Sequence, residues 1–181
     1  MDSVRGRLLI AAPTLVDPNF RRTVVLVADH GDEGALGVVL NRPSEISLAD
    51  AVPDLAETLG DDELVYVGGP VRPTGVVVLA EWTDPEPAAG LVFGAVGLLG
   101  AEAEVRELGT AARRVRAYAG HSGWGPGQLE SELEREDWIL ADPLPDDVFT
   151  ATPDDLWARV LQRKGGHFAL LARMPPDPSV N

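Results

Sequence analysis

The chain has 181 residues, 45% of them apolar, and a formal net charge of −14 at neutral pH. That length fits one domain over 1–181 and can bury about 70% of its unfolded surface without a disulfide or metal staple. The lack of cysteine removes thiolate nucleophiles and thiolate metal sites, and the acidic balance repels a polyanion, so direct nucleic-acid binding is not expected.

In chain order, Leu8-Leu9-Ile10-Ala11-Ala12 is a continuous apolar run stopped by Pro13, the pattern of a strand covered on both faces. Asp17-Pro18-Asn19 has turn chemistry: the carboxylate can take a backbone N–H, and Pro18 presets its φ. Thr23 to Ala28 and Leu36 to Leu40 are β-branched runs around the polar loop 29–34, which predicts an antiparallel pair. Ser47 caps a short helix through Val52, ended by Pro53. Leu64 to Val67 and Val76 to Ala80 are predicted strands, and Asp84 to Pro87 a loop.

Ala101 to Leu108 suits a helix with Gly109 just past its end. Arg113 to Ala119 alternates polar and apolar side chains, a strand period. A helix begins near Pro126 with Leu129 and Leu133 on one face. The next is capped by Thr152, has Pro153 in its first turn and buries Leu156, Trp157, Val160 and Leu161, with Arg163 and Lys164 before the stop at Gly165. Phe168 to Met174 fits a short helix or a strand, and 175–181 is extended. Strands and helices interleave without a βαβ rhythm, so the fold class is α/β in the mixed α+β sense, a mixed sheet with helices around it.

The start lacks the basic end and apolar run of a signal peptide. The longest apolar run, Leu91 to Ala101, has eleven residues, too few to span a bilayer. A cytoplasmic location is expected.

Glycine-rich turns are the densest feature. Gly123, Gly125 and Gly127 flank Trp124 and Pro126 and lead into Gln128 at a helix start, where free N–H groups can form an anion site or simply a tight turn with Trp124 as a core plug. Gly68-Gly69-Pro70 offers the same alternatives, a wall facing that turn or a plain loop. Together with Arg42 these residues (Gly68, Gly69, Gly123, Trp124, Gly125, Gly127, Gln128) form the candidate ligand cleft. Its occupant is expected to be a small anionic ligand or a protein.

Gly120-His121-Ser122-Gly123 sits between a strand and a helix, the setting of a nucleophile elbow, but the second glycine comes one residue late; a small serine hydrolase using Ser122 and His167 is the alternative function. Asp29, His30, Asp32 and Glu33 lack the ligand alternation of a calcium loop, so no metal is expected. No Walker A sequence is present and Gly94, Gly97 and Gly100 do not form a dinucleotide fingerprint, so no cofactor is expected. Glu130, Glu132, Glu134, Glu136 and Asp137, opposed by Arg135 alone, make either a solvated helix face or a surface for a basic partner.

The ordered set Gly6-Arg7-Leu8-Leu9-Ile10-Ala11, Asp17-Pro18-Asn19-Phe20, the run from Gly34 to Pro43, Gly68-Gly69-Pro70-Val71, Tyr118-Ala119-Gly120, the run from Gly123 to Glu130, Trp138 and the closing 177–181 resembles the YqgE/AlgH family. The resemblance covers the chain from Gly6 onward. It implies a compact α/β domain whose mixed sheet is branched and partly closed like a small barrel. It also implies the label of transcriptional regulator, with no reaction and no catalytic residues to carry over. Members commonly run Gly-Tyr-Ala-Gly-Trp through the glycine turn; here His121 and Ser122 intervene, so an enlarged turn is expected. A non-enzymatic regulatory or binding domain is therefore the leading expectation.

Overall fold

The computed structural model describes residues 2–176, so the expected extended tail lies outside them from 177 onward. Three strands open the chain: β1 (Leu8–Ala11), β2 (Val24–Gly31) and β3 (Gly34–Val39), paired antiparallel in sequence order. All four residues of β1 are fully buried. Leu8 and Ile10 enter one core with β2 and the C-terminal helices, while Leu9 and Ala11 enter another with Trp124, Leu129 and Trp138. Burial on both faces is why the run does not alternate. The loop expected over 29–34 shrinks to Asp32-Glu33, because Asp29 to Gly31 extend β2 and Gly31 pairs with Gly34.

Next come β4 (Pro43–Ser47), α1 (Leu48–Ala51) and α2 (Pro53–Leu59). The Ser47 hydroxyl accepts from Asp50 N at 3.2 Å, as its cap position requires. Pro53 does end α1, but it also starts α2, where a missing N–H costs nothing. After β5 (Leu64–Val67), β6 runs from Val71 to Trp82, longer than the segment 76–80. The glycine-interrupted run after 88 is a hairpin of β7 (Ala88–Phe93) and β8 (Val96–Leu99), turned at Gly94 with φ +50°. The helix expected at 101–108 is absent. A 3-10 turn at Val105–Glu107 leads instead into α3 (Leu108–Ala111), which has Gly109 inside it and buries Leu108 and Ala111.

Thirteen residues form β9 (Ala112–Trp124), followed by α4 (Gln128–Glu134), β10 (Trp138–Ala141) and α5 (Pro145–Val148). Pro153–Asp155 is a 3-10 turn, and α6 spans Leu156–Lys164 with the expected stripe buried. Thr152 makes no side-chain cap bond; its hydroxyl accepts from Arg159 Nη1 at 2.9 Å. The Trp157 indole donates to Ala11 O at 2.8 Å and fixes α6 over β1. Gly165 stops α6 at φ +78°, and α7 (His167–Leu171) resolves the C-terminal ambiguity in favour of a helix.

The strands form one ten-stranded sheet in the order β10-β1-β2-β3-β9-β6-β8-β7, with the β4–β5 hairpin attached to β9. One edge of β9 carries β6. The other carries β5 in parallel at Tyr66↔Tyr118 and Val67↔Ala119, then β3 antiparallel from Gly37↔Ser122 to Ala35↔Trp124. The sheet is mixed and branched, as the resemblance implies, but open, with β10 and β7 at its ends. The branch falls at Gly120, whose φ of +71° lets β9 change partner.

Candidate functional site

The two glycine segments meet at this branch. A Cβ on Gly68 would overlap the Gly120 carbonyl, and one on Gly69 would overlap the backbone of His121. Only glycine permits two main chains to lie this close. The polar groups there are engaged within the fold: Gly68 N donates to Ala119 O at 2.9 Å, and Gly68 O accepts from Val39 N at 2.9 Å and the Ser122 hydroxyl at 3.2 Å. Backbone packs on backbone, and no hollow separates them.

The expected turn beyond Gly120 is strand. Gly123 pairs with Leu36 and Trp124 with Ala35, so His121 and Ser122 lengthen β9 rather than enlarge a turn. Trp124 is 6% exposed and packs near Phe20 and Trp138, the core-plug alternative. Gly125 N donates to Gln128 Oε1 at 3.0 Å, and Gln128 Nε2 donates to Glu132 Oε1 at 3.1 Å. Gln128 thus closes the start of α4 from inside. Gly127, at φ +72°, caps α4 by conformation alone.

Arg42 adjoins the junction through its main chain, where Val67 N donates to Arg42 O at 2.7 Å, but its side chain turns away to the turn at 17–22. Its guanidinium donates to Pro18 O at 2.7 Å and Arg21 O at 2.9 Å, and burial lowers its pKa while Asp17 opposes that shift. Asn41 donates to Arg22 O and accepts from Val24 N, both at 2.9 Å. Asp17 Oδ1 accepts from Asn19 N at 2.8 Å. Asn41 and Arg42 therefore hold the turn at 17–22, whose polar groups are used by one another.

Ser122 is fully buried, with its hydroxyl directed at a carbonyl. His167 sits at the start of α7 with its ring 3.8 Å from that of Phe168 and makes no bond to Ser122 among the described residues. The serine hydrolase alternative has no geometry to support it, because a nucleophile needs an adjacent base and an open approach. His30 turns inward: Nδ1 accepts from Val4 N, and Nε2 meets Glu130 Oε1, both at 3.0 Å. Among the described residues no three of the His, Asp and Glu side chains gather as a metal site. Two of the acids on α4 are likewise not a solvated face, since Glu130 and Glu132 accept bonds from within the chain.

The open concavity lies elsewhere. A groove of about 780 Å³ runs between β10 and α7, walled by Pro13, Leu133, Trp138, Leu140, Phe168 and Leu171, and lined as well by Glu134, Arg135 and Glu136 at the end of α4 and by Lys164 and His167. Cavities of about 310–500 Å³ lie at three other places. β10 is an edge strand, paired with β1 alone. Ala11 N bonds to Thr23 O at 3.0 Å and Ala12 N to Asp137 O at 2.9 Å. By that alternation Ile139 and Ala141 face β1, whereas the amides of Trp138 and Leu140 face outward. Sequence reasoning missed the groove: its walls read as ordinary core side chains, and β10 is only four residues long. The one signal was the double reading of 168–174.

A family model described as AlgH-like matches residues 8–169. The chain belongs to that family. Among AlgH-like relatives, a UPF0301 protein of Streptomyces coelicolor is 44% identical over 187 residues, covering 100% of this chain and 97% of the relative. One from Mycobacterium tuberculosis is 42% identical over 181 residues, covering 97% and 90%. A crystal structure from Corynebacterium diphtheriae superposes with a TM-score of 0.86 at 27% identity, covering 95% of this chain and 93% of that one. The solution structure of the AlgH protein from Pseudomonas aeruginosa gives 0.72 at 28%, covering 97% of each. The branch glycines and the Asn41-Arg42 clamp account for much of the motif set on which the resemblance was drawn: in this AlgH-like chain they build the sheet junction and its neighbouring turn.

No described helix is long and apolar enough to cross a membrane.

Proposed function

We propose that this AlgH-like chain is a binding domain without a reaction of its own, and that its ligand face is the groove between β10 and α7. The observation that carries this is the groove itself: about 780 Å³, with apolar walls from β10 and α7 and charged side chains of both signs, Glu134, Arg135, Glu136 and Lys164, in its lining. Small-molecule sites have this character and run from about 300 to 1,000 Å³. The glycine turns and Arg42 support the reading from the other direction, because their polar groups already have partners inside the fold.

A regulatory role fits the same picture. With a net charge of −14, any effect on transcription would pass through a ligand or a protein rather than through contact with DNA. An amide-resolved fragment screen by NMR tests the proposal. Shifts grouped at Leu140, Phe168 and Leu171 are expected. Shifts grouped instead at 68–71 and 123–128, or no fragment binding at all, would reject the groove.

A further inference from the structure

We infer that the groove takes an extended peptide segment, which adds to β10 as a further strand and sets lysine or arginine side chains against Glu134 and Glu136. This rests on the groove being the ligand face. The floor of the groove is the free edge of β10. Trp138 and Leu140 each turn their N–H and C=O groups outward, and these groups have no partner among the described residues. The walls stand on opposite faces of the sheet. Trp138 and Leu140 share one face with Leu133 of α4, and Ile139 shares the other with Phe168 and Leu171 of α7. The groove thus continues the sheet outward as a slot between two helices. A row of main-chain donors and acceptors is matched by the row of another strand, whereas a compact small molecule would leave part of it unpaired.

The α4 wall sets the charge of the occupant. Glu134 and Glu136 are exposed in the groove lining, and neither has a cation paired with it among the described residues. Both stand at the C-terminal end of α4, whose last turn holds no basic residue, so the helix dipole opposes them. Arg135 lies between them but is taken by Asp137 at 2.9 Å. On the opposite wall the Lys164 ammonium lies 4.9 Å from the centre of the Phe168 ring, in the last turn of α6 where the dipole favours a cation. Side chains of an added strand alternate between its faces, so each wall meets its own set. Long cationic side chains toward α4 cover Leu133 with their stems and reach the carboxylates, while apolar ones pack on Phe168 and Leu171 and leave Lys164 in solvent. A second copy of the chain fits less well. Antiparallel pairing of β10 with another β10 keeps like faces together and would gather the Glu134 and Glu136 carboxylates of two chains, each of charge −14. Short, charged edges also serve to prevent strand addition, and β10 has four residues, so the test must tell an open edge from a guarded one.

The acetylated, amidated hexapeptide Val-Lys-Val-Lys-Val-Lys and its Val-Glu-Val-Glu-Val-Glu counterpart are titrated into the whole chain and followed by amide NMR and hydrogen exchange. The lysine peptide should bind saturably and slow exchange at the Trp138 and Leu140 amides at least about tenfold. The Ile139 amide, already turned to β1, should be unaffected. The glutamate peptide should not bind. Glu134→Gln combined with Glu136→Gln should weaken the lysine peptide about tenfold; both side chains are exposed, so the variant is expected to fold. Asp61→Asn combined with Asp62→Asn removes the same charge from an exposed turn before β5 and should leave binding unchanged. Binding that does not slow the Trp138 and Leu140 amides, equal binding of the two peptides, or equal weakening by the two double variants would each overturn the inference. A concentration-dependent dimer with those amides already protected would give the edge to a second copy and overturn it too. Fragments that shift Leu140, Phe168 and Leu171 without any binding of the lysine peptide would remove the added strand and leave the groove in place. If neither peptides nor fragments perturb the groove amides, the strand and the groove fail together.

Discussion

Trp124 and Trp138 donate their indole N–H groups to the same oxygen of Glu132, each at 2.8 Å. The rings stand edge to face with centroids 6.1 Å apart, and Phe20 closes the cluster at 6.2 and 5.6 Å from them. A single carboxylate on α4 therefore ties together the end of β9 and the start of β10. One of those indoles, Trp138, also forms a wall of the groove.

Glu132→Ala would leave two largely buried indole donors without an acceptor, a loss of about 1–3 kcal/mol for each unsatisfied group. The variant should unfold at least about 2 kcal/mol more easily than the parent in urea, followed by tryptophan fluorescence. Glu132→Gln, which keeps an oxygen acceptor, should lose less. A Glu132→Ala protein within about 0.5 kcal/mol of the parent would show that the shared bond contributes nothing net.

The branch of the sheet makes a sharper demand at Gly69 than at Gly127. Both have positive φ, +153° and +72°, but a methyl group on Gly69 would overlap the His121 backbone, while Gly127 faces open space. Gly127→Ala should cost about 1 kcal/mol, the penalty of an L residue in that region. Gly69→Ala should cost about 3 kcal/mol or more and lower Tm by roughly 6–12 °C, at about 2–4 °C per kcal/mol for a chain of this size. Differential scanning calorimetry of the two variants compares them directly. Equal Tm values would contradict the close approach.

Arg42→Ala should loosen the turn at 17–22 without touching ligand binding. It removes the donors to Pro18 O and Arg21 O, a loss of about 1–3 kcal/mol. Hydrogen exchange at the Phe20 and Arg21 amides, both bonded to Asp17 O, should accelerate. Fragment binding at the groove should be unchanged. A large loss of fragment affinity would return Arg42 to the binding site.

The His30–Glu130 pair makes stability depend on acid. Val4 N–H can only donate, so His30 Nδ1 carries the lone pair and the ring proton points from Nε2 to Glu130 Oε1. The Glu130 carboxyl is held below its ordinary 4.5, first by its own backbone N–H and then by His30. A carboxyl with a depressed folded pKa adds stability above its unfolded pKa and loses it as the pH falls through the folded value. Between about pH 6 and about pH 3 the parent should therefore lose more unfolding free energy than Glu130→Gln, which keeps the acceptor for His30 but does not titrate. Parallel urea titrations would measure it, and curves that fall together below pH 4.5 would remove Glu130 from the account.

Several elements were legible because their causes are local. The unbroken run at 8–12 declared a strand covered on both faces, Ser47 marked a helix start through its own hydroxyl, and the spacing of Leu156, Trp157, Val160 and Leu161 fixed one buried helical face. The motif order was enough to suggest the family. The charge of −14 set the terms for any partner.

Other features depended on partners far along the chain. Glycines at 120–123 look like a turn in isolation; they are strand because β3, β5 and β6 all attach to β9 there, and the Ser122 hydroxyl finds its acceptor 54 residues away. Glu130 and Glu132 look solvated until His30 and the two indoles are brought to them. The groove depended most on tertiary structure. Trp138, Leu140, Phe168 and Leu171 have the chemistry of core residues, and only the way α7 packs beside the edge strand leaves space between them. Local sterics and periodicity decide what each segment becomes, whereas a gap between two segments is a property of their packing and is encoded in neither alone.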